Sequence, residues 1–138
     1  MRIVIALVLF SILGCTRPPK EIEISTSQDE AILLLDQFRR TSSEERENLA
    51  ERLADIEFTD AASRRFVEKC GDSLELELLS DDLTGKYWLI VFTGNLKSSG
   101  VRYLKTLDEL KLRNTNEISS KSFKAAIEPA ESKIRSAK

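Results

Sequence analysis

The feature that most constrains this chain is the recurrence of apolar side chains at i, i+3, i+4 and i+7. Ala31, Leu34, Leu35 and Phe38 follow it, and so do Ser63, Phe66, Val67 and Cys70 with a small polar residue at the first position. On a helix of 3.6 residues per turn this spacing forms one stripe, which leaves water by packing on a neighbouring element. Leu49, Leu53 and Ile56 mark another amphipathic helix. So do Val101, Leu104, Leu107 and Leu110, and then Phe123, Ala126, Ile127, Ala130 and Ile134. At 138 residues the chain is long enough for one core and short for two.

Local signals set the expected boundaries. The first helix runs from about Gln28 and stops in the polar stretch 39–43. Ser42 and Glu45 then form a capping-box pattern, which predicts a helix to about Glu57. Thr59 or Asp60 can cap the following helix, and Gly71 is placed to end it. Pro129 removes a backbone donor and is expected to kink or end the last helix.

Residues 73–93 read two ways. Leu74-Glu75-Leu76-Glu77-Leu78 alternates with period two, residues 86–93 (KYWLIVFT) are rich in strand formers, and residues 81–85 are turn material. An α+β domain with a hairpin at 74–93 is therefore one reading. Trp88, Val91, Phe92 and Leu96 also satisfy helical spacing, and a short apolar run is not assigned by periodicity alone. The layout favours the helix. Polar breaks near Thr41, Asp81 and Asn114 are spaced 40 and then 33 residues apart, an irregular spacing near the roughly 40-residue repeat length of HEAT-type units. The segment from Glu77 through Gly94-Asn95-Leu96 to Leu104 resembles such a unit: helix end, break, first helix, tight turn, second helix. The resemblance implies an all-α, HEAT-like α-solenoid of five to six helices over 28–138, with Trp88 and Phe92 in its central pair.

The N terminus carries a second resemblance. One Arg2 precedes an apolar run from Ile3 to Leu13, broken only by Ser11, and the segment ends Ile12-Leu13-Gly14-Cys15. The run fits a secretory leader and is too short to span a roughly 30 Å hydrocarbon core. Its end resembles the lipobox of bacterial lipoproteins, with Leu13 bulkier than the residue usual there. The resemblance implies that residues 1–14 are a signal peptide, that Cys15 is acylated, and that the protein is anchored extracytoplasmically in the cell envelope. Thr16 after the cysteine implies the inner leaflet of the outer membrane where there are two membranes. Residues 15–27, with Pro18-Pro19 and a Ser/Thr cluster, read as the lipidated cysteine and a tether. A lipidated Cys15 leaves Cys70 without a disulfide partner, and the face it shares with Phe66 and Val67 suggests burial.

Composition narrows the chemistry. There is no histidine, which removes the usual general base and the commonest zinc ligand. Lys and Arg total 21 against 23 Asp and Glu, without the excess of cations that a nucleic-acid backbone requires. No spacing suggests a metal site or a phosphate loop, so no metal, cofactor or nucleic acid is expected. Asp81-Asp82 is better explained by capping, and the Ser119–Lys124 cluster by an ordinary polar helix surface than by a lysine-activated serine. Charge is unevenly distributed: residues 21–82 hold 18 acidic and 7 basic side chains, residues 83–138 hold 5 and 11. The asymmetry serves either attraction between the halves on folding or the steering of a charged partner. For the second role the contact set is Lys111, Arg113, Lys121, Lys124, Lys133 and Arg135. The expected function is non-enzymatic protein–protein interaction, with another envelope protein as partner. A small envelope hydrolase or its accessory subunit, and an immunity or exclusion lipoprotein, are the alternatives.

Overall fold

The apolar stripes fold as helices throughout the described part of the chain. The computed structural model describes residues 19–42, 44–113 and 117–137, with side chains for 28–42, 44–113 and 121–137. The elements are α1 (Pro19–Arg40), α2 (Glu44–Ala54), α3 (Asp60–Leu79) and α4 (Lys86–Asn95). A 3-10 segment (Lys97–Tyr103) then leads into α5 (Leu104–Arg113) and α6 (Glu117–Ser136). No strand occurs among the described residues. The lipobox and Cys15 lie outside them, as does the break at Asn114.

Successive helices alternate between two rows. In one row α1 packs on α3, and α3 on the 3-10 segment and α5; in the other α2 packs on α4, and α4 on α6. Contacts of α1 with α2, α3 with α4, and α5 with α6 join the rows. The result is a short, solenoid-like all-α stack. Helix α4 sits at its centre, and its neighbours on several sides explain why its sequence is apolar almost all round. That is also why the segment imitates a strand in sequence. Leu89, Ile90 and Phe92 are buried, whereas Trp88, expected beside Phe92 in the central pair, is half-buried with its ring edge-on to Tyr87 at 5.0 Å. Phe58, Phe66 and Phe92 form an aromatic cluster with ring centroids 5.2–5.9 Å apart.

The hairpin alternative at 74–93 is excluded, because residues 74–79 continue α3 and residues 86–95 form α4. The alternation has a helical cause. Leu74 and Leu78, four apart, are buried; Leu76 is 62% exposed; and Glu75 and Glu77 lie half-buried beside cations of other helices. Gly85, at a left-handed φ of 78°, makes the turn into α4.

Several boundaries shift. Helix α1 begins at Pro19, so the backbone of residues 19–27 is helical where composition suggested a tether. Helix α2 ends at Ala54 rather than near Glu57. Thr59 caps α3 as expected, its hydroxyl accepting from the Ala62 amide at 3.2 Å. Gly71 does not end α3, which continues to Leu79. The glycine instead permits close approach: a Cβ there would meet the Arg102 guanidinium, and the Tyr103 hydroxyl donates to the Gly71 carbonyl at 3.0 Å. Nor does Pro129 end α6. It lies on the exposed side, where the carbonyl it leaves unbonded four residues earlier, that of Ala125, is near water. No described helix is long and apolar enough to cross a membrane.

Candidate binding surface

The six basic residues singled out in the sequence do not form one patch. Lys111 and Arg135 converge on Glu131, which is only 4% exposed: the Lys111 ammonium pairs with one carboxylate oxygen and Arg135 Nη1 lies 3.1 Å from the other. The bond to Glu131 holds Lys111 above the usual lysine pKa. These two cations compensate a buried carboxylate, and the pair with Lys111 fixes α5 to α6. Arg113 turns to the end of α3, donating to the Leu79 carbonyl at 3.0 Å. Lys133 donates to Asn95 Oδ1 at 3.2 Å. Lys121 and Lys124 remain exposed on α6 and make no ion pair with a described residue.

The charge asymmetry is thus partly spent inside the fold. Arg102 Nη2 lies 2.8 Å from Asp72 and 3.6 Å from Glu75, so basic and acidic halves meet across α3 and the 3-10 segment. A denser cluster joins α1, α2, α3 and the turn before α4. The Arg46 guanidinium stacks on the Phe38 ring at 4.0 Å and donates to the carbonyls of Phe38 and Thr41 at 3.1 and 3.2 Å. It also pairs with Glu77 at 3.1 Å and Asp82 at 3.5 Å, while Arg39 lies 3.4 Å from the other Glu77 oxygen. Asp82 accepts the Thr84 amide at 2.9 Å, which lowers its pKa, so it organises a turn rather than capping α4. Lys86, 3% exposed, donates to the Ser80 carbonyl. With Arg113 it places two cations on the last carbonyls of α3, where the helix dipole is negative. Burial pushes the Lys86 pKa below the ordinary lysine value.

Arg46, Lys86 and Glu131 were not legible as special in the sequence. A charged residue at an apolar register position was the available signal: Arg46 precedes Ala50 and Leu53 by one and two turns on the same stripe, and Glu131 sits between Ala130 and Ile134. Cys70 is half-buried rather than fully buried, and desolvation raises its thiol pKa above the usual value, against the opposing fields of Lys69 and Arg39.

A surface cleft of about 660 Å³ opens where α2, α4 and α6 end together. Ala54, Asp55, Gly94, Asn95, Lys133 and Ser136 line it. Asn95 Nδ2 donates to the Ala54 carbonyl at 2.7 Å and its oxygen accepts from Lys133, so one amide ties the ends of all three helices. The three helices therefore run the same way. Asp55, Glu57, Lys97 and Lys133 give the cleft both signs of charge. Among the described residues no three His, Cys, Asp or Glu side chains converge as metal ligands. What the surface offers chemically is charged, hydrogen-bonding contact area on the exposed sides of α2 and α6. No protein-family model matches this sequence, and no curated protein or solved structure matches it either.

Proposed function

We propose that the protein is a lipid-anchored extracytoplasmic lipoprotein whose helical stack is a non-enzymatic protein–protein interaction module. The leader ending in Ile12-Leu13-Gly14-Cys15 supports the anchor. Acylation of Cys15 moors the chain, since each buried methylene adds roughly 0.8 kcal/mol of membrane affinity and two or more chains anchor firmly. The inner leaflet of the outer membrane is the proposed address in a cell with two membranes.

The observation that carries the binding role is the exposed side of α6. It is the last helix of its row, it presents Lys121 and Lys124 to solvent, and neither cation is engaged by a described carboxylate. Unengaged charge on a rigid helix steers and orients a partner at low cost in conformational entropy.

Two experiments test the reading. Cys15→Ser should move the protein out of the membrane fraction, and unchanged fractionation would remove the anchor. A pull-down from envelope extract with the processed chain should recover one stoichiometric protein, weakened by Lys121→Glu with Lys124→Glu. Turnover of a cell-wall or ester substrate by the same preparation would instead establish a hydrolase.

A further inference from the structure

The two ends of the α2–α4–α6 row carry opposite charge. At one end α2 and the residue that follows it expose Glu44, Glu45, Glu51 and Asp55 against Arg52, and none of these carboxylates forms an ion pair with a described residue. At the other end α6 exposes Lys121 and Lys124 beside Glu128, with Arg135 still 59% exposed although it pairs with Glu131. A stack that merely ended in water would need polar caps, but not caps of opposite sign.

We propose that these ends are mates on separate copies, so that the α2 face of one molecule docks on the α6 face of the next and the row continues from chain to chain. The proposal rests on reading α6 as a contact face and names its occupant as a second copy of this chain.

The row's own geometry supports the docking. Its three helices run the same way, because their C-terminal ends share one cleft. A second copy's α2, laid on α6 in that direction, brings Glu44 and Glu45 toward Lys121 and Lys124, and Glu51 and Asp55 toward the solvent-facing side of Arg135, which keeps its pair with Glu131. Between the charges the exposed side of α6 carries Ala125, Pro129 and Ser132, small or compact residues that let a helix approach closely, together with the carboxylate of Glu128. Within the chain, α4 already meets α6 in this manner, with Gly94 lying directly on Ala130. The contact is heterologous, using a different patch on each partner, so it propagates rather than closing as a dimer. The opposed charges act over a Debye length of about 8 Å at physiological salt, which makes the association sensitive to salt.

Sedimentation velocity of the full processed chain in detergent tests this. The expected result is a mass that rises with concentration at low salt and falls to that of one chain at high salt. Lys121→Glu with Lys124→Glu, and separately Glu44→Lys with Glu45→Lys, should each sediment as single chains. Mixed in equal amounts the two variants should reassemble, because each now presents an end complementary to the other. Glu44 and Glu45 lie in the first turn of α2, where lysines oppose the helix dipole. Glu51→Lys with Asp55→Lys, at the end where lysines suit the dipole, is therefore the second variant and should also abolish association. Unchanged helical dichroism confirms that each variant is folded. A wild type that stays a single chain at all concentrations, variants that still assemble, or a mixture that does not reassemble overturns the proposal. Capture of a different envelope protein through Lys121 and Lys124 by a wild type that stays a single chain overturns self-association while leaving the interaction module standing.

Discussion

Replacing Arg46 by methionine should cost about 3 kcal/mol of folding stability, near the lower end of what breaking a buried ion pair costs. Methionine keeps the unbranched stem and its packing, so the change isolates the guanidinium. That group donates to two carbonyls at the end of α1, pairs with Glu77 and Asp82 and lies on the Phe38 ring. Hydrogen bonds from a charged donor contribute roughly 1.5–3 kcal/mol each, but the desolvation of Arg46 itself offsets several kcal/mol of that sum. Glu77 keeps Arg39 at 3.4 Å and retains 15% side-chain exposure, which limits the penalty of its abandonment. Urea denaturation of residues 19–138, followed by helical dichroism, measures the difference. Arg46→Met combined with Glu77→Gln should recover about 1–2 kcal/mol relative to the sum of the single changes, because the carboxylate left short of a partner is gone. A neutral Arg46→Met, or strictly additive single and double variants, would show that the cluster is surface decoration.

Gly94→Ala should destabilise by about 1–3 kcal/mol, since its Cβ would stand 2.8 Å from the Ala130 Cα and force α4 from α6. Gly71→Ala meets chiefly the far end of the flexible Arg102 side chain and gains about 0.5–1 kcal/mol of helix propensity, so thermal melts should show it near neutral. Tyr103→Phe should cost about 1 kcal/mol in the same melts through loss of the buried bond to the Gly71 carbonyl. Lys86 supplies a pH test. Its folded pKa is depressed, so the unfolded chain binds more protons at alkaline pH below the ordinary lysine value, and stability attributable to this residue rises with pH there. Measured against Lys86→Met, wild type should therefore gain relative stability between neutral and alkaline pH. A difference independent of pH would contradict burial of the ammonium.

Sequence periodicity was most informative where a helix buries one side only. The stripes Ala31–Leu34–Leu35–Phe38 and Phe123–Ala126–Ile127–Ala130–Ile134 were read from spacing, and the structure buries every one of those residues. It was least informative at α4, where neighbours on several sides erase the contrast on which periodicity depends. Gly71 and Pro129 misled for a related reason. Each was read as a local breaker, whereas Gly71 accommodates Arg102 and Tyr103 from a distant segment and Pro129 falls on the side of α6 that faces water.

The sequence alone determined the amphipathic helices that bury one side, roughly where they turn, and the difference in charge between the two halves, because stripes, caps and composition are properties of neighbouring residues. Only the tertiary structure decided which charges are consumed and which remain available. Lys111 and Arg135 neutralise a buried carboxylate, Arg113 and Lys86 cap α3, and Lys121 and Lys124 are left in solvent. The physical reason is that the fate of a charge depends on which groups the packing of the rows brings within a few ångströms, and those partners are remote in the chain.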